Sequence, residues 1–127
     1  QRSTGPADVA AGHLKALLDS YVEKYRAEEE NWSNTARNMD NLIEASTEDS
    51  QRMDNLNHKF HLEEKHNEEL ENCAHYVSKL SDALSHLLGS DGWLAEYPDQ
   101  AKVQEILNAH PTVLLANSAR VERASVQ

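Results

Sequence analysis

The sequence predicts an all-α protein: a long antiparallel helical hairpin with a coiled-coil-like seam and two short C-terminal helices, completing a helical bundle by association. Three observations carry that prediction. Apolar residues recur at alternating three- and four-residue spacing along two stretches, one reaching Leu42 and the other running from Met53 to Leu87. A run of capping-type residues, Ser46-Thr47-Glu48-Asp49-Ser50, separates them. Glycine (four), proline (three) and phenylalanine (one) are too scarce for a turn-rich β-sandwich.

Residues 1–7 are polar, contain Gly5 and Pro6, and read as a lead-in. Asp8 is a candidate N-cap for a helix over residues 8–45, with Leu14, Leu18, Tyr21, Tyr25, Glu28, Trp32, Thr35, Met39 and Leu42 on its seam. Gly12 costs that helix about 1 kcal/mol against alanine, so its start is the weak end. The break at 46–50 holds neither glycine nor proline, and a single helix of about eighty residues is the rival reading. Leu42 to Met53, however, spans a heptad plus four, which shifts the apolar phase. A restart capped by Ser46 or Thr47, with acids in the next turn, therefore fits better.

The second helix, residues 47–88, sets Met53, Leu56 and Phe60 near the turn and Glu63, Asn67 and Leu70 midway. Ala74, Val77, Leu80, Leu84 and Leu87 follow toward the open end. Gly89 suits the left-handed residue that closes such a helix. Trp93 to Tyr97 forms a short amphipathic turn, closed by Pro98. Short helices over 99–109 and 112–121 flank Pro111, and 122–127 reads as a tail. Helices this short must pack on something, and the apolar open end of the hairpin is the surface offered, with Trp93 and Leu94 docking there. The whole of 8–121 makes one domain.

Charge and composition exclude several functions. Twelve Lys and Arg face 22 Asp and Glu, a formal charge of −10, and such a surface repels phosphate and anionic lipid. Nucleic acid is not an expected partner. Apolar runs fall short of the ~20 residues of a membrane span. Cys73 is the one cysteine, so no internal disulfide or cysteine-based zinc site can form. It reads as a buried thiol in a reducing, cytoplasmic setting. Asn31-Trp32-Ser33 matches a glycosylation sequon but falls mid-helix. Ser, His and Asp form no nucleophile elbow and no glycine-rich phosphate loop is present, so an enzyme is not expected.

One constellation stands out. Folding the halves about the break sets Glu28 opposite the turn at 63–67. Glu63 and His66 share a helix face at i, i+3. A carboxylate on one helix facing E-x-x-H on its neighbour is half of a di-iron carboxylate set, and two associated hairpins would complete it. With Glu28 one turn before Trp32, and Glu63-Glu64-Lys65-His66 on the second helix, residues 23–70 resemble the hairpin subunits of the encapsulated ferritin-like proteins. That resemblance implies iron or another divalent metal held between protomers by Glu28, Glu63 and His66. The last forty residues have no counterpart there. The plainer reading is a polar layer that sets register and partner choice in a bundle. His58 and His61 lie off the seam and read as solvated. His13, His75, His86 and His110 read as surface or edge residues.

A narrow two-helix core with one-sided stripes leaves apolar surface to cover, and dimerisation into a four-helix bundle covers it most simply. The expected function is a non-catalytic interaction and oligomerisation module that pairs with itself or with another helical protein. Leu14, Leu18, Tyr21, Tyr25, Trp32, Phe60, Leu70 and Trp93 are the expected interaction residues. The first alternative is a ferritin-like metal-binding bundle. The second follows from a chain that begins with Gln1 rather than Met: a helical N-terminal or sensory segment of a larger bacterial protein, such as a secreted effector or a receptor.

Overall fold

Two helices of 40 residues each, α1 (Pro6–Ala45) and α2 (Asp49–Leu88), pack side by side along their length. The computed structural model describes residues 5–111. Contacts between Tyr21 and Tyr76, Glu28 and His66, and Asp40 and Lys59 make the pair antiparallel. Two shorter helices follow, α3 (Trp93–Glu96) and α4 (Gln100–Ala109). Among the described residues there is no strand. The helix expected over 112–121 and the tail lie outside the described residues.

Local chemistry explains the ends. α1 begins at Pro6, two residues before the expected cap, because proline's fixed φ and missing N–H suit a first helical position. Asp8 instead sits in the first turn, where a carboxylate favours the helix dipole. The reversal at 46–48 keeps every φ negative, so it needs no glycine. Ser46 is its hub. Its hydroxyl donates to the Leu42 carbonyl (2.8 Å) and accepts from Asn55 Nδ2 (3.1 Å), while its carbonyl accepts from Arg52 Nη2 (2.7 Å). Arg52 also reaches Asp49 at 3.0 Å. α2 thus starts at Asp49, with Glu48 rather than Ser46 or Thr47 in the cap position. Gly89 closes it at φ +77°, the left-handed conformation expected there.

The core occupies the open end. Leu18, Val22, Val77, Leu84, Val103 and Ile106 are fully buried, joined by Tyr25, Cys73, Trp93 and Tyr97. Trp93 docks on α2 as expected, and its indole N–H donates to Ser85 Oγ at 2.9 Å. Leu14, Tyr21 and Leu70 pack against the same cluster.

At the turn end the expected seam holds on α1 as far as Met39, which is buried, and fails at Leu42 and along α2. Met53 and Phe60 are each 60% exposed, and Leu56, Glu63, Asn67 and Leu42 also face outward. The inward positions are Arg52, Asn55, Lys59, Leu62 and His66, one residue earlier than read from the apolar pattern. Both sets obey the same three-four spacing. The earlier set runs in phase into Leu70, Cys73 and Val77, and it brings Arg52 and Asn55 onto Ser46. Long basic stems cover the seam while their heads reach water, as Lys59 does to meet Asp40 at 2.6 Å. Leu87 likewise turns outward, and Leu84 and Leu88 take the inner face. Among the described residues no helix is long and apolar enough to cross a membrane.

Candidate functional site

Three features merit a functional reading: a buried polar layer, a polar clasp on α4, and two apolar surfaces left open.

The polar layer forms where the sequence places it. His66 is buried, with 8% of its surface accessible, and its Nδ1 lies 3.2 Å from Glu28 Oε1. The imidazole stacks on Trp32, centroids 5.1 Å apart and planes at 16°. Glu63 does not share this burial; it is exposed on the flank of α2. Glu28 and His66 therefore satisfy one another, and the third expected ligand stands to the side. Among the described residues no group of three or more His, Cys, Asp or Glu side chains could hold a metal ion.

The clasp joins α4 to α1. Lys102 Nζ bonds Glu29 (2.7 Å) and Glu105 (2.6 Å) and sits 5.4 Å over the Tyr25 ring. Burial pulls its amine down, but the two carboxylates outweigh that and hold it above its ordinary value. Arg26 meets Asp99 at 3.0 Å, and this bond keeps the Asp99 carboxyl below its usual range. Tyr97 donates to Asp19; burial and that carboxylate push the phenol well up. Tyr25 Oη and His110 Nε2 lie 2.9 Å apart. Burial lowers the His110 imidazole, opposed by Glu71, so the ring is neutral near pH 7 and the Tyr25 phenol donates to it. His110, read from sequence as an edge residue, is thus a tertiary contact. Nothing in the local sequence marks it, because its partner is 85 residues away. Cys73 is buried and its thiol is pushed up by desolvation, which makes it a poor nucleophile.

The apolar surfaces lie at opposite ends. At the turn end, Met53, Leu56 and Phe60 make a ridge along α2. At the open end, Ala10, His13 and Leu14 of α1 face Ala83, His86 and Leu87 of α2 across a shallow, mainly apolar cleft of about 720 Å³. Leu17 (51% exposed) and Tyr76 extend this surface, and Tyr76 stacks on Tyr21 at 4.7 Å. The two alanines leave the hollow. Sequence reasoning missed the cleft because it treated these helix flanks as edges of one seam.

Comparison with protein-family models, with curated proteins and with solved structures finds no match to this chain.

Proposed function

We propose that this chain is a non-catalytic helical interaction module that associates with itself or with another helical protein. The observation that carries the reading is that six of the eight large apolar side chains exposed among the described residues gather at two places, Leu17, Tyr76 and Leu87 at the cleft and Met53, Leu56 and Phe60 at the ridge. Two helices capped at one end hide one apolar layer; a further helical surface would hide these. The single buried thiol suits a reducing compartment, and a cytoplasmic location is part of the proposal. Light scattering after gel filtration, across micromolar to millimolar protein, tests it. A mass that rises above the 14.3 kDa of one chain supports self-association. A constant monomer leaves only the version with a different helical partner.

A second reading rests on Glu28 and His66. Each chain offers one carboxylate and one imidazole in a half-dry layer, and two chains side by side would offer twice that. A divalent metal such as iron is its ligand. Metal analysis of the purified protein, before and after dialysis against chelator, tests it.

A further inference from the structure

The loop between α2 and α3, Gly89-Ser90-Asp91-Gly92, holds the one place among the described residues where Asp or Asn precedes glycine. Every other described Asp or Asn lies within a helix or, like Asp99, caps one. In a helix the side chain leans back over the preceding turn, away from the amide that follows it. Asp91 has no such restraint. Asp91 and Gly92 are both exposed, and the Gly92 N–H donates to no carbonyl; it meets only the Ser90 hydroxyl, at 3.2 Å. A Cβ at Gly92 would stand 3.3 Å from that oxygen, so glycine keeps this side of the nitrogen clear.

The same loop controls how Trp93 is held. The indole N–H donates to Ser85 Oγ at 2.9 Å, and the Ser85 hydroxyl in turn donates to the Asp91 carboxylate. Asp91 thereby fixes the direction of the Ser85 hydroxyl and leaves an oxygen lone pair aimed at the indole. The Asp91 carbonyl also accepts the Leu94 N–H at 3.1 Å, which opens α3.

We infer that Asp91–Gly92 is a modification site, where Asp91 isomerises to isoaspartate through a cyclic imide with Gly92, and that this change loosens the hold on Trp93. The Gly92 nitrogen bonds to Asp91 Cγ and loses its proton. One carboxylate oxygen leaves as water, carrying that proton and a second from solvent. A water molecule then opens the five-membered ring. Attack at Cγ restores Asp91. Attack at the main-chain carbonyl carbon breaks its bond to the Gly92 nitrogen, which regains a proton, and the backbone now runs through Cβ and Cγ. No atom is gained or lost overall. The free carboxylate is left on Cα, and the link to Trp93 is one carbon longer. Both changes break the chain from Trp93 through Ser85 to Asp91. Ser85 also restrains the reaction, because the carboxylate must leave its hydroxyl to reach Gly92.

Ageing the full chain at physiological temperature in heavy-oxygen water tests this, on wild type, Asp91→Glu, Gly92→Ala and Ser85→Ala. Circular dichroism checks that each variant keeps wild-type helicity. Peptide mass spectrometry reads the heavy oxygen, and an isoaspartyl carboxyl methyltransferase with S-adenosylmethionine counts isoaspartate. Wild type should gain both in the peptide that spans Asp91 and Gly92. Gly92→Ala should react several-fold more slowly and Ser85→Ala several-fold faster. Asp91→Glu, which would need a six-membered ring, should gain neither there. The isomerised fraction, separated by chromatography, should melt about 4 °C below unmodified protein, as for the loss of one buried hydrogen bond in a domain of this size. Isoaspartate absent from this peptide, equal rates in wild type and Gly92→Ala, a Ser85→Ala rate no faster than wild type, or an isomerised fraction with unchanged melting overturns the inference. None of these readouts depends on self-association.

Discussion

The two ends of the hairpin use their apolar residues in opposite ways. At the open end Leu18, Val22, Val77 and Leu84 face inward, and α3 and α4 cover them with Trp93, Tyr97, Val103 and Ile106. At the turn end the inward positions include Arg52, Asn55 and Lys59, while Met53, Leu56 and Phe60 face water. Ser46, Asn55, Arg52 and Asp49 hold the turn by hydrogen bonds and an ion pair. Burial of apolar area sets stability at one end; at the other, polar contacts set geometry and leave the apolar side chains free for another surface. Apolar periodicity therefore marks a core at one end and a candidate interface at the other.

The largest effects should follow from breaking the covered end. Trp93→Ala removes a buried ring and an indole bond to Ser85, and should cost about 3–5 kcal/mol. Leu84→Ala should cost about 2–5 kcal/mol. Phe60→Ser, an equally drastic change of chemistry at the turn end, should move monomer stability by only about 0.5 kcal/mol either way. Urea unfolding of all three under monomeric conditions checks the contrast. A Phe60→Ser loss as large as that of Trp93→Ala would place Phe60 in a core.

How far the fold was legible follows from the same contrast. The two long helices, the reversal near 46–50, Gly89 as the closing residue and Trp93 as the dock could all be read from spacing and caps. So could the meeting of Glu28 with His66, since it requires only an antiparallel hairpin closed near Ser46. The register of α2 near the turn could not. Two three-four rows, 53-56-60-63-67 and 52-55-59-62-66, differ by one residue, and apolarity favours the first. The second wins through partners distant in sequence: the Ser46 turn, Asp40 and Glu28. The clasp was illegible for the same reason, because Tyr25 with His110 and Glu29 with Lys102 are pairings set by topology.

The next effect sharpens the covered end. His110→Gln keeps an acceptor for the Tyr25 phenol but does not titrate. In the folded protein the His110 imidazole lies below its ordinary value of 6.5, because burial opposes its charge. The unfolded chain therefore takes up the proton first as pH falls. Stability from the neutral ring is present above pH about 6.5 and is lost as pH drops through the folded value. Wild type should lose stability relative to His110→Gln across that descent. Burial raises the Asp82 carboxyl and gives a trend of opposite sign, common to both proteins and cancelled in the difference. Thermal unfolding at a series of pH values reads it, and parallel curves would show that His110 is not held neutral by burial.

The turn end gives a smaller effect. Ser46→Ala removes one hydroxyl that bonds both the Leu42 carbonyl and Asn55 Nδ2, and should cost about 1 kcal/mol. It should leave the open end untouched. Hydrogen exchange should quicken around 42–55 and remain unchanged around Val77 and Leu84. Faster exchange throughout would mean the two ends unfold as one cooperative unit.

The smallest effect is expected where the two ends meet. Glu28 and His66 are bonded to each other, Trp32 covers the imidazole, and Glu63 faces outward. A divalent ion binding within one chain would have to break the Glu28–His66 contact for two donors, whereas stable sites for iron or zinc take four or more. Adding Fe(II), Zn(II) or Mn(II) at micromolar concentration should therefore leave the melting temperature of the monomer unchanged. Glu28→Gln keeps the shape of the layer and an acceptor oxygen, so its cost should stay near 1 kcal/mol. A metal-dependent rise in melting temperature that appears only when wild type associates, and vanishes in Glu28→Gln, would move the layer from setting register to holding a metal between protomers.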